Sequence, residues 1–258
     1  MHHRQWRTAL LLSLVAPASI QAQLTPNHTQ QTDSIPNAGW RNVAVGAAVL
    51  AATFLVDAPI ANVFESPHSA SAASAANTFD KFGEMTGIGV VVGGLGIASL
   101  VTRDHHVLSA TIRTAASVAL ATGVTQVLKY VVGRERPYVD PDRDALDFHL
   151  FKGTPSGTPS FPSGHSSTAF ALATSLGDAI DKDWARVALF GLAAGTGWAR
   201  LQQQQHWVTD VVAGAAVGIV SAKFANGRLR LLGARAPRIL LSSRDVGVRW
   251  TFPLPAVH

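Results

Sequence analysis

The sequence contains no cysteine, and it lacks the residue spacings that bind metal ions. The absence of cysteine excludes disulfide bonds and thiolate metal ligands. No pair of histidines or cluster of carboxylates has the spacing of a metal site. The acidic run from Asp140 to Asp147 also lacks the central glycine and terminal glutamate of a calcium loop. The sequence therefore offers no recognisable metal site.

The sequence also lacks a strong strand pattern before its C-terminal end, and most of its apolar runs are short. Several run for only 13 to 15 residues, whereas a helix that crosses the hydrocarbon needs about 20. The mean hydropathy of +0.20 is modest. The pattern predicts an all-α bundle of about six apolar helices, either embedded in a membrane or soluble beside one. The stretches are Val43–Val56, Gly87–Val101, Ser109–Val132, Ser166–Ala179, Val187–Ala199 and Trp207–Ala225.

The N-terminal end differs from this helical region. Residues 1–22 carry Arg4 and Arg7 before an apolar core, and they end in a plausible cleavage site at Ala22. This arrangement is typical of a secretory signal peptide and predicts an exported protein. Residues 23–42 are polar and contain proline, which predicts a flexible lead-in to a helical domain at residues 43–225.

The C-terminal tail, residues 226–258, is basic. From Lys223 to His258 there are seven lysines and arginines against Asp245 alone. Such a segment after the last helix fits the cytoplasmic side of a membrane or an anionic lipid surface, and export leaves no nucleic-acid partner. Within the tail, Ile239–Leu241 and Val246–Phe252 are β-prone and flank a polar turn, which predicts a short hairpin.

The first of three polar segments carries two cations. Lys129 and Arg136 are seven residues apart, so on a continuing helix both would lie on one face and reach one anion. Pro137 is expected to end that helix. Taken alone, these residues are better explained as a solvated basic helix end.

The second segment is Pro162-Ser163-Gly164-His165, which precedes an apolar run of helical character. It is therefore expected at a helix N-terminus, where free backbone N–H groups attract anions. Gly164 would let the backbone approach a ligand closely, and the Ser163 hydroxyl would add a donor. The competing interpretation is a plain helix cap formed by Ser163.

The third segment runs from Arg200 to Asp210. His206 and Asp210 are four residues apart, so their side chains can meet on one helix face. A carboxylate that holds one imidazole nitrogen leaves the other free to act as a nucleophile. A structural His–Asp pair is the alternative interpretation of these two residues.

Together the three segments resemble the signature of the type 2 phosphatidic acid phosphatase (PAP2) and vanadium haloperoxidase superfamily, over residues 110–224. The resemblance implies a metal-free phosphatase in which His206 attacks phosphorus, Asp210 orients His206, and His165 protonates the leaving oxygen. The implied ligands of the phosphoryl oxygens are Lys129, Arg136, Arg200, Ser163 and the backbone N–H of Gly164.

The resemblance also implies a range of activities. Apolar helices favour lipid phosphates or lipid-carrier pyrophosphates over soluble phosphate esters as substrates. The alternative within the superfamily is a vanadium haloperoxidase, because vanadate fits the same cradle; in a phosphatase it would be an inhibitor. An alternative of another class is a catalytically silent membrane scaffold. Its only support is Ala199, which stands where the family usually has a serine.

Membrane orientation follows from the number of helices that span. If the 14-residue stretch Val43–Val56 does not span, five spans place the site on the periplasmic side and the basic tail inside, as the positive-inside rule favours. Six spans would reverse both positions. A periplasmic domain beside the membrane, with the tail as a surface anchor, is the other arrangement.

Overall fold

The structure is a computed structural model, and it describes residues 35–64, 69–139 and 144–236 together with the backbone of residues 238–241 and 246–249. The predicted signal peptide and residues 23–34 of the predicted lead-in lie outside the described residues. Within the described part, the protein is almost entirely helical, which confirms the all-α prediction. Its helices are α1 (Trp40–Val63), α2 (Ala70–Gly83), α3 (Met85–Thr102), α4 (His105–Val132), α5 (Gly164–Ile180), α6 (Asp183–Gln202) and α7 (Val208–Ala225).

Helix α5 is the centre of the bundle. It is rich in Ala, Ser, Thr and Gly, and most of its side chains are buried, because small residues let neighbouring helices approach closely. Helix α7 packs against it most extensively. A Cβ atom on Gly214 of α7 would lie 2.5 Å from the carbonyl oxygen of Ser163. A glycine is therefore required where α7 crosses the N-terminal end of α5.

Four helices, α1, α3, α4 and α7, are long and apolar enough to cross a membrane. Their outer faces expose large apolar side chains such as Leu55, Val90 and Val127, which in water would form an unusually large apolar surface. The prediction of a 14-residue first helix is wrong, because α1 has 24 residues and continues through Pro59. Helix α1 therefore has the length to span.

Helix α2 was missed by the hydropathy pattern. Its sequence consists largely of Ala, Ser and Asn and has little apolar character. It is held by packing against α6, where the Thr196 hydroxyl donates to the Phe79 carbonyl oxygen at 2.7 Å. The Ser69 side chain caps its N-terminus by accepting from the N–H of Ala72 at 3.3 Å. Tertiary contacts and capping thus form a helix that periodicity does not predict.

Two small sheets complete the described structure. Strand β1 (Asn37–Ala38) pairs in parallel with β2 (Arg230–Leu231), so the start of α1 lies beside the end of α7. Strands β3 (Arg238–Leu241) and β4 (Val246–Arg249) form an antiparallel pair, which confirms the predicted hairpin.

Candidate active site

A cavity of about 310 Å³ opens at the end of the bundle where α4 ends and α5 and α7 begin. The three polar segments converge on this end because α4 runs towards it, while α5 and α7 start from it. Five of the eight predicted site residues line the cavity directly, and the other three lie behind its wall. The five are Lys129, Arg136, Gly164, His165 and His206.

Lys129 and Arg136 are held by backbone carbonyl groups of the loop before α5. The Lys129 ammonium donates to the carbonyl oxygens of Pro159 at 2.6 Å and Ser160 at 3.1 Å. The Arg136 Nε donates to the carbonyl oxygen of Thr158 at 3.0 Å. Among the described residues, neither cation forms a hydrogen bond to a carboxylate, so their charges remain available to an anion in the cavity.

Arg200 comes from the last turn of α6 and is buried. Its Nη1 donates to the Asp80 Oδ1 at 2.6 Å. Its Nε is also buried, and no described residue accepts a hydrogen bond from it. A guanidinium with an unused buried donor is suited to a further oxygen ligand.

Ser163 and Gly164 begin α5. The Ser163 hydroxyl is buried and accepts hydrogen bonds from the N–H of Ser166 at 3.4 Å and the hydroxyl of Ser166 at 3.0 Å. The structure therefore uses this side chain as a helix cap. Gly164 lines the cavity, and a Cβ added there would meet only the Thr125 methyl group, at 4.0 Å. The free N–H groups of this first turn favour an anion in the cavity.

His165 lies one residue further along α5, with about a third of its side chain exposed. Its Nε2 is 3.9 Å from Oδ1 of Asp80, the same oxygen that binds Arg200. Burial lowers the pKa of His165, and the charge of Arg200 lowers it further, while the carboxylates of Asp80 and Glu84 act in the opposite direction. The proton on His165 therefore depends on the balance of charges around it.

His206 is almost fully buried between α6 and α7, and its Nδ1 lies 3.5 Å from Oδ2 of Asp210. Burial lowers the pKa of His206 to about 3, and the positive charges of Lys129 and Arg136 contribute in the same direction against Asp210. The imidazole is therefore neutral near pH 7. A neutral imidazole is the state that a nucleophile requires.

Asp210 is fixed by more than its histidine. Its Oδ2 accepts from the N–H of Trp207 at 2.9 Å, which caps the start of α7. Its Oδ1 accepts from Nη1 of Arg134 at 2.9 Å. Both the carboxylate and the guanidinium are completely buried, so Asp210 has one available orientation.

Arg134 and Asp57 were not identified from the sequence as site residues. The Nη2 of Arg134 donates to Oδ2 of Asp57 at 2.7 Å, and the Oδ1 of Asp57 accepts from the N–H of Thr209 at 2.8 Å. A signal was present in the sequence, because Asp57 is the one acidic residue in the apolar helix α1. An isolated carboxylate in such a helix is costly unless it has a buried partner.

Asp80 was also missed, because it lies on α2, which the hydropathy pattern did not predict. It connects two of the predicted residues, Arg200 and His165, through one oxygen atom. Its nearest sequence signal is the change from Ala- and Ser-rich sequence to Phe79-Asp80-Lys81. That signal alone does not indicate a site.

The arrangement places a neutral histidine, a second histidine of adjustable charge and two cations around one cavity, and a third cation, Arg200, lies behind its wall. Such a set can bind a tetrahedral oxyanion, attack its central atom and protonate a leaving oxygen. Among the described residues no group of three His, Asp or Glu side chains could hold a metal ion.

Comparison with protein families gives one match over this region. The sequence model described as the PAP2 superfamily matches residues 110–228. This range includes most of α4 and all of α5, α6 and α7, but it excludes α1 and α2, which carry Asp57 and Asp80.

Two curated relatives are both named lipid A 1-phosphatase. The protein from Porphyromonas gingivalis is 38% identical over 108 residues, which are 41% of this chain and 21% of the relative. The protein from Rhizobium johnstonii is 35% identical over 95 residues, which are 37% of this chain and 38% of the relative. The chain thus spans well under half the length of the curated relatives it matches.

Among solved structures, LpxE from Aquifex aeolicus is similar with a TM-score of 0.51 and 22% sequence identity. The similarity covers 66% of this chain and 94% of that protein. At this identity the match establishes a shared fold, in which the helical bundle described above is the common element.

Proposed function

We propose that this chain, whose residues 110–228 match the sequence model of the PAP2 superfamily, is a membrane phosphatase that hydrolyses phosphorylated lipids through a phosphohistidine on His206. The observation that carries the proposal is the environment of His206. A neutral, buried imidazole lines a cavity beside Lys129 and Arg136, with Asp210 fixed 3.5 Å behind it. Three cations, two histidines and a carboxylate meet at one end of the bundle, which is the set that phosphoryl transfer requires.

In the first step, the phosphoryl oxygens bind to Lys129, Arg136 and Arg200. The free nitrogen of His206 then attacks phosphorus, and the bond between phosphorus and the leaving oxygen breaks. His165 donates its proton to that oxygen, so the alcohol or phosphate leaves neutralised. The product is a phosphohistidine whose positive ring charge faces Asp210.

In the second step, water attacks the phosphorus atom of the phosphohistidine. His165, which is now neutral, accepts a proton from that water, and the phosphorus–nitrogen bond breaks. Inorganic phosphate forms, and His206 returns to its neutral state. The cycle needs no metal and no cofactor.

His165 must carry a proton when substrate is bound, although burial and Arg200 lower its pKa in the free protein. A phosphate dianion in the cavity adds negative charge beside the imidazole and favours its protonated form. We therefore expect substrate binding to raise the pKa of His165, so that this residue is protonated when the leaving oxygen needs a proton.

Lipid substrates are favoured by the location of the site. The cavity lies at the ends of α4 and α7, two of the helices that are long enough to span, and Met85 of α3 lines it as well. A phosphate headgroup could enter while its acyl chains remain among the apolar faces of these helices. The names of both curated relatives also refer to a phosphorylated lipid.

We also propose that the site faces the periplasm. The pairing of β1 with β2 supports this orientation, because it puts the start of α1 and the first described residues of the basic tail at the end of the bundle opposite the cavity. If the four long helices span, the positive-inside rule puts that end in the cytoplasm and the cavity outside. In this arrangement the lead-in before α1 is cytoplasmic, so it is incompatible with cleavage of a signal peptide after Ala22.

The orientation can be tested by fusing green fluorescent protein or alkaline phosphatase to the C-terminus and by N-terminal sequencing of the purified protein. We expect fluorescence, no alkaline phosphatase activity, and an N-terminus that precedes residue 23. An alkaline phosphatase-positive fusion or a mature N-terminus at Gln23 would contradict the proposed orientation.

The activity can be tested by measuring inorganic phosphate released from phosphatidic acid in detergent and from an aryl phosphate, with a chelator present. We expect release to be lost in His206→Ala and retained in His106→Ala, a control at the opposite end of the bundle. The ratio of the rates of phosphate release from the two substrates measures the preference for lipids. Orthovanadate should inhibit, because the same cations bind it.

Absence of phosphate release by folded native protein would overturn the proposal. Bromide peroxidation with added vanadate would then indicate the haloperoxidase alternative. Inactivity in both assays would leave the silent scaffold.

A further inference from the structure

We propose that Asp57 and Arg134 are positioning residues for the reaction: together they hold Asp210 in the orientation that His206 requires. This inference rests on the proposed function. It adds a contribution from α1, a helix outside the segment that the family model matches. We call Asp57, Arg134 and Asp210 the buried charge cluster.

The geometry forms a continuous chain from α1 to the nucleophile. Asp57 binds Nη2 of Arg134 at 2.7 Å, and Nη1 of the same guanidinium binds Asp210 at 2.9 Å. The other carboxylate oxygen of Asp210 lies 3.5 Å from Nδ1 of His206. Arg134 thus spaces two carboxylates on opposite sides of one planar group, which only arginine can do with this donor geometry.

The guanidinium has no freedom to move. Its Nε donates to the carbonyl oxygen of Ala145 at 3.0 Å. The rings of Phe54, Phe148 and Trp207 surround it, with centroids 4.9, 5.3 and 5.0 Å from its central carbon. Because the side chain is completely buried, its charge depends on the two carboxylates and on these ring faces.

Helix α1 also binds the first turn of α7. The Oδ1 of Asp57 accepts from the backbone N–H of Thr209, and the hydroxyl groups of Thr53 and Thr209 are 2.9 Å apart. The segment that carries His206 and Asp210 is therefore attached to α1 by two contacts at Thr209. A shift of α1 would therefore move the Asp210 carboxylate together with the first turn of α7.

The cluster has two carboxylates for one guanidinium. Its excess negative charge lies next to His206, where positive charge appears when the imidazole is phosphorylated. Such a charge stabilises the intermediate more than the bound substrate. Asp57 is absent from the lining of the 310 Å³ cavity, so its loss should affect kcat and leave substrate binding nearly unchanged.

The test compares Asp57→Asn with Thr114→Val. Thr114 is equally buried and hydrogen-bonds the hydroxyl of Ser175 at 3.0 Å near the other end of the bundle. In Asp57→Asn we expect kcat to fall about 10- to 100-fold, as is typical when a residue that orients a reactive side chain through another residue is lost, with KM within about twofold. Thr114→Val should keep both constants within about twofold.

Binding of inorganic phosphate, measured by calorimetry, separates positioning from partial inactivation. In Asp57→Asn the stoichiometry and the affinity should match the native protein, since the cavity cations are unchanged. A fall in kcat that is matched by an equal fall in stoichiometry would overturn the proposal. If Asp57→Asn does not fold, Arg134→Lys is measured in its place with the same expectations.

The remaining outcomes are also decisive. Native kcat in folded Asp57→Asn, or failure of both Asp57→Asn and Arg134→Lys to fold while Thr114→Val folds, would show that the cluster serves stability alone. If the native protein itself releases no phosphate, the proposed function fails and this inference fails with it. The two failures are thus distinguishable.

Discussion

The Nη1 of Arg200 donates to Oδ1 of Asp80 at 2.6 Å. The same oxygen is 3.9 Å from Nε2 of His165. Asp80 is therefore placed to influence both a proposed phosphate ligand and the proposed general acid. It reaches them from α2, a helix that carries none of the three sequence segments.

We expect Asp80→Asn to move the alkaline limb of activity to lower pH. The carboxylate raises the pKa of His165 against burial and Arg200, so a neutral amide should lower that pKa further. His165 would then lose its proton, and with it the ability to act as an acid, at a lower pH. The measurement is log kcat/KM from pH 3 to 9, with Asp183→Asn as an exposed control. An alkaline limb that coincides with the native one would refute this role.

The native enzyme should give a bell-shaped rate profile with an acidic optimum. The pKa of His206 is lowered to about 3, chiefly by burial, so the nucleophile stays neutral down to strongly acidic pH. The alkaline limb reports the loss of the proton on His165, whose pKa is also lowered. The measurement is log kcat/KM on an aryl phosphate from pH 2 to 9, a range that extends below the pKa of His206. A flat profile between pH 4 and 9 would exclude these two roles.

Asp210→Asn should lower kcat by more than about 100-fold, by analogy with removal of a carboxylate that orients a catalytic histidine. It should also destabilise the fold by about 3 kcal/mol or more, because Arg134 loses one of two buried charged partners. Turnover and thermal unfolding of the purified variant measure the two effects. A folded variant with nearly native turnover would identify the His206–Asp210 pair as structural.

Gly214→Ala should lower both stability and activity. Its Cβ would lie 2.5 Å from the carbonyl oxygen of Ser163, so α7 must move away from the start of α5, at a cost of about 1–3 kcal/mol. Gly191→Ala is the matched control, since a Cβ there meets nothing within 4 Å. Gly214→Ala should have a lower melting temperature and slower phosphate release than Gly191→Ala. Equal melting temperatures would mean that α7 accommodates the methyl group.

The sequence predicted the parts of the site that lie in short segments. Local helix geometry alone brings together side chains that are four or seven residues apart. This applies to His206 with Asp210 and to Lys129 with Arg136. Ser163 fitted both a cap and a phosphate ligand from its position, and the structure shows its capping contacts. Hydropathy likewise predicted the helical fold and the terminal hairpin.

The supporting residues could not be predicted in the same way. Asp57 and Arg134 meet across 77 positions of sequence, and Asp80 reaches Arg200 across 120. Such contacts depend on how helices pack, which local periodicity does not specify. The length of α1 was underestimated because Asp57 and Pro59 interrupt its apolar run, although a buried arginine compensates the charge of Asp57.

The pairing of β1 with β2 fixes the axial register of α1 against α7. The N–H of Arg230 donates to the carbonyl oxygen of Pro36 at 2.9 Å, and the N–H of Leu232 donates to that of Ala38 at 3.1 Å. From this fixed point, α1 must complete a set number of turns before Asp57 meets Arg134. One residue inserted between them would rotate the carboxylate by about 100° around the helix axis. The number of residues between β1 and Asp57 thus determines whether Asp57 can contact Arg134, and through it the orientation of His206 at the other end of the bundle.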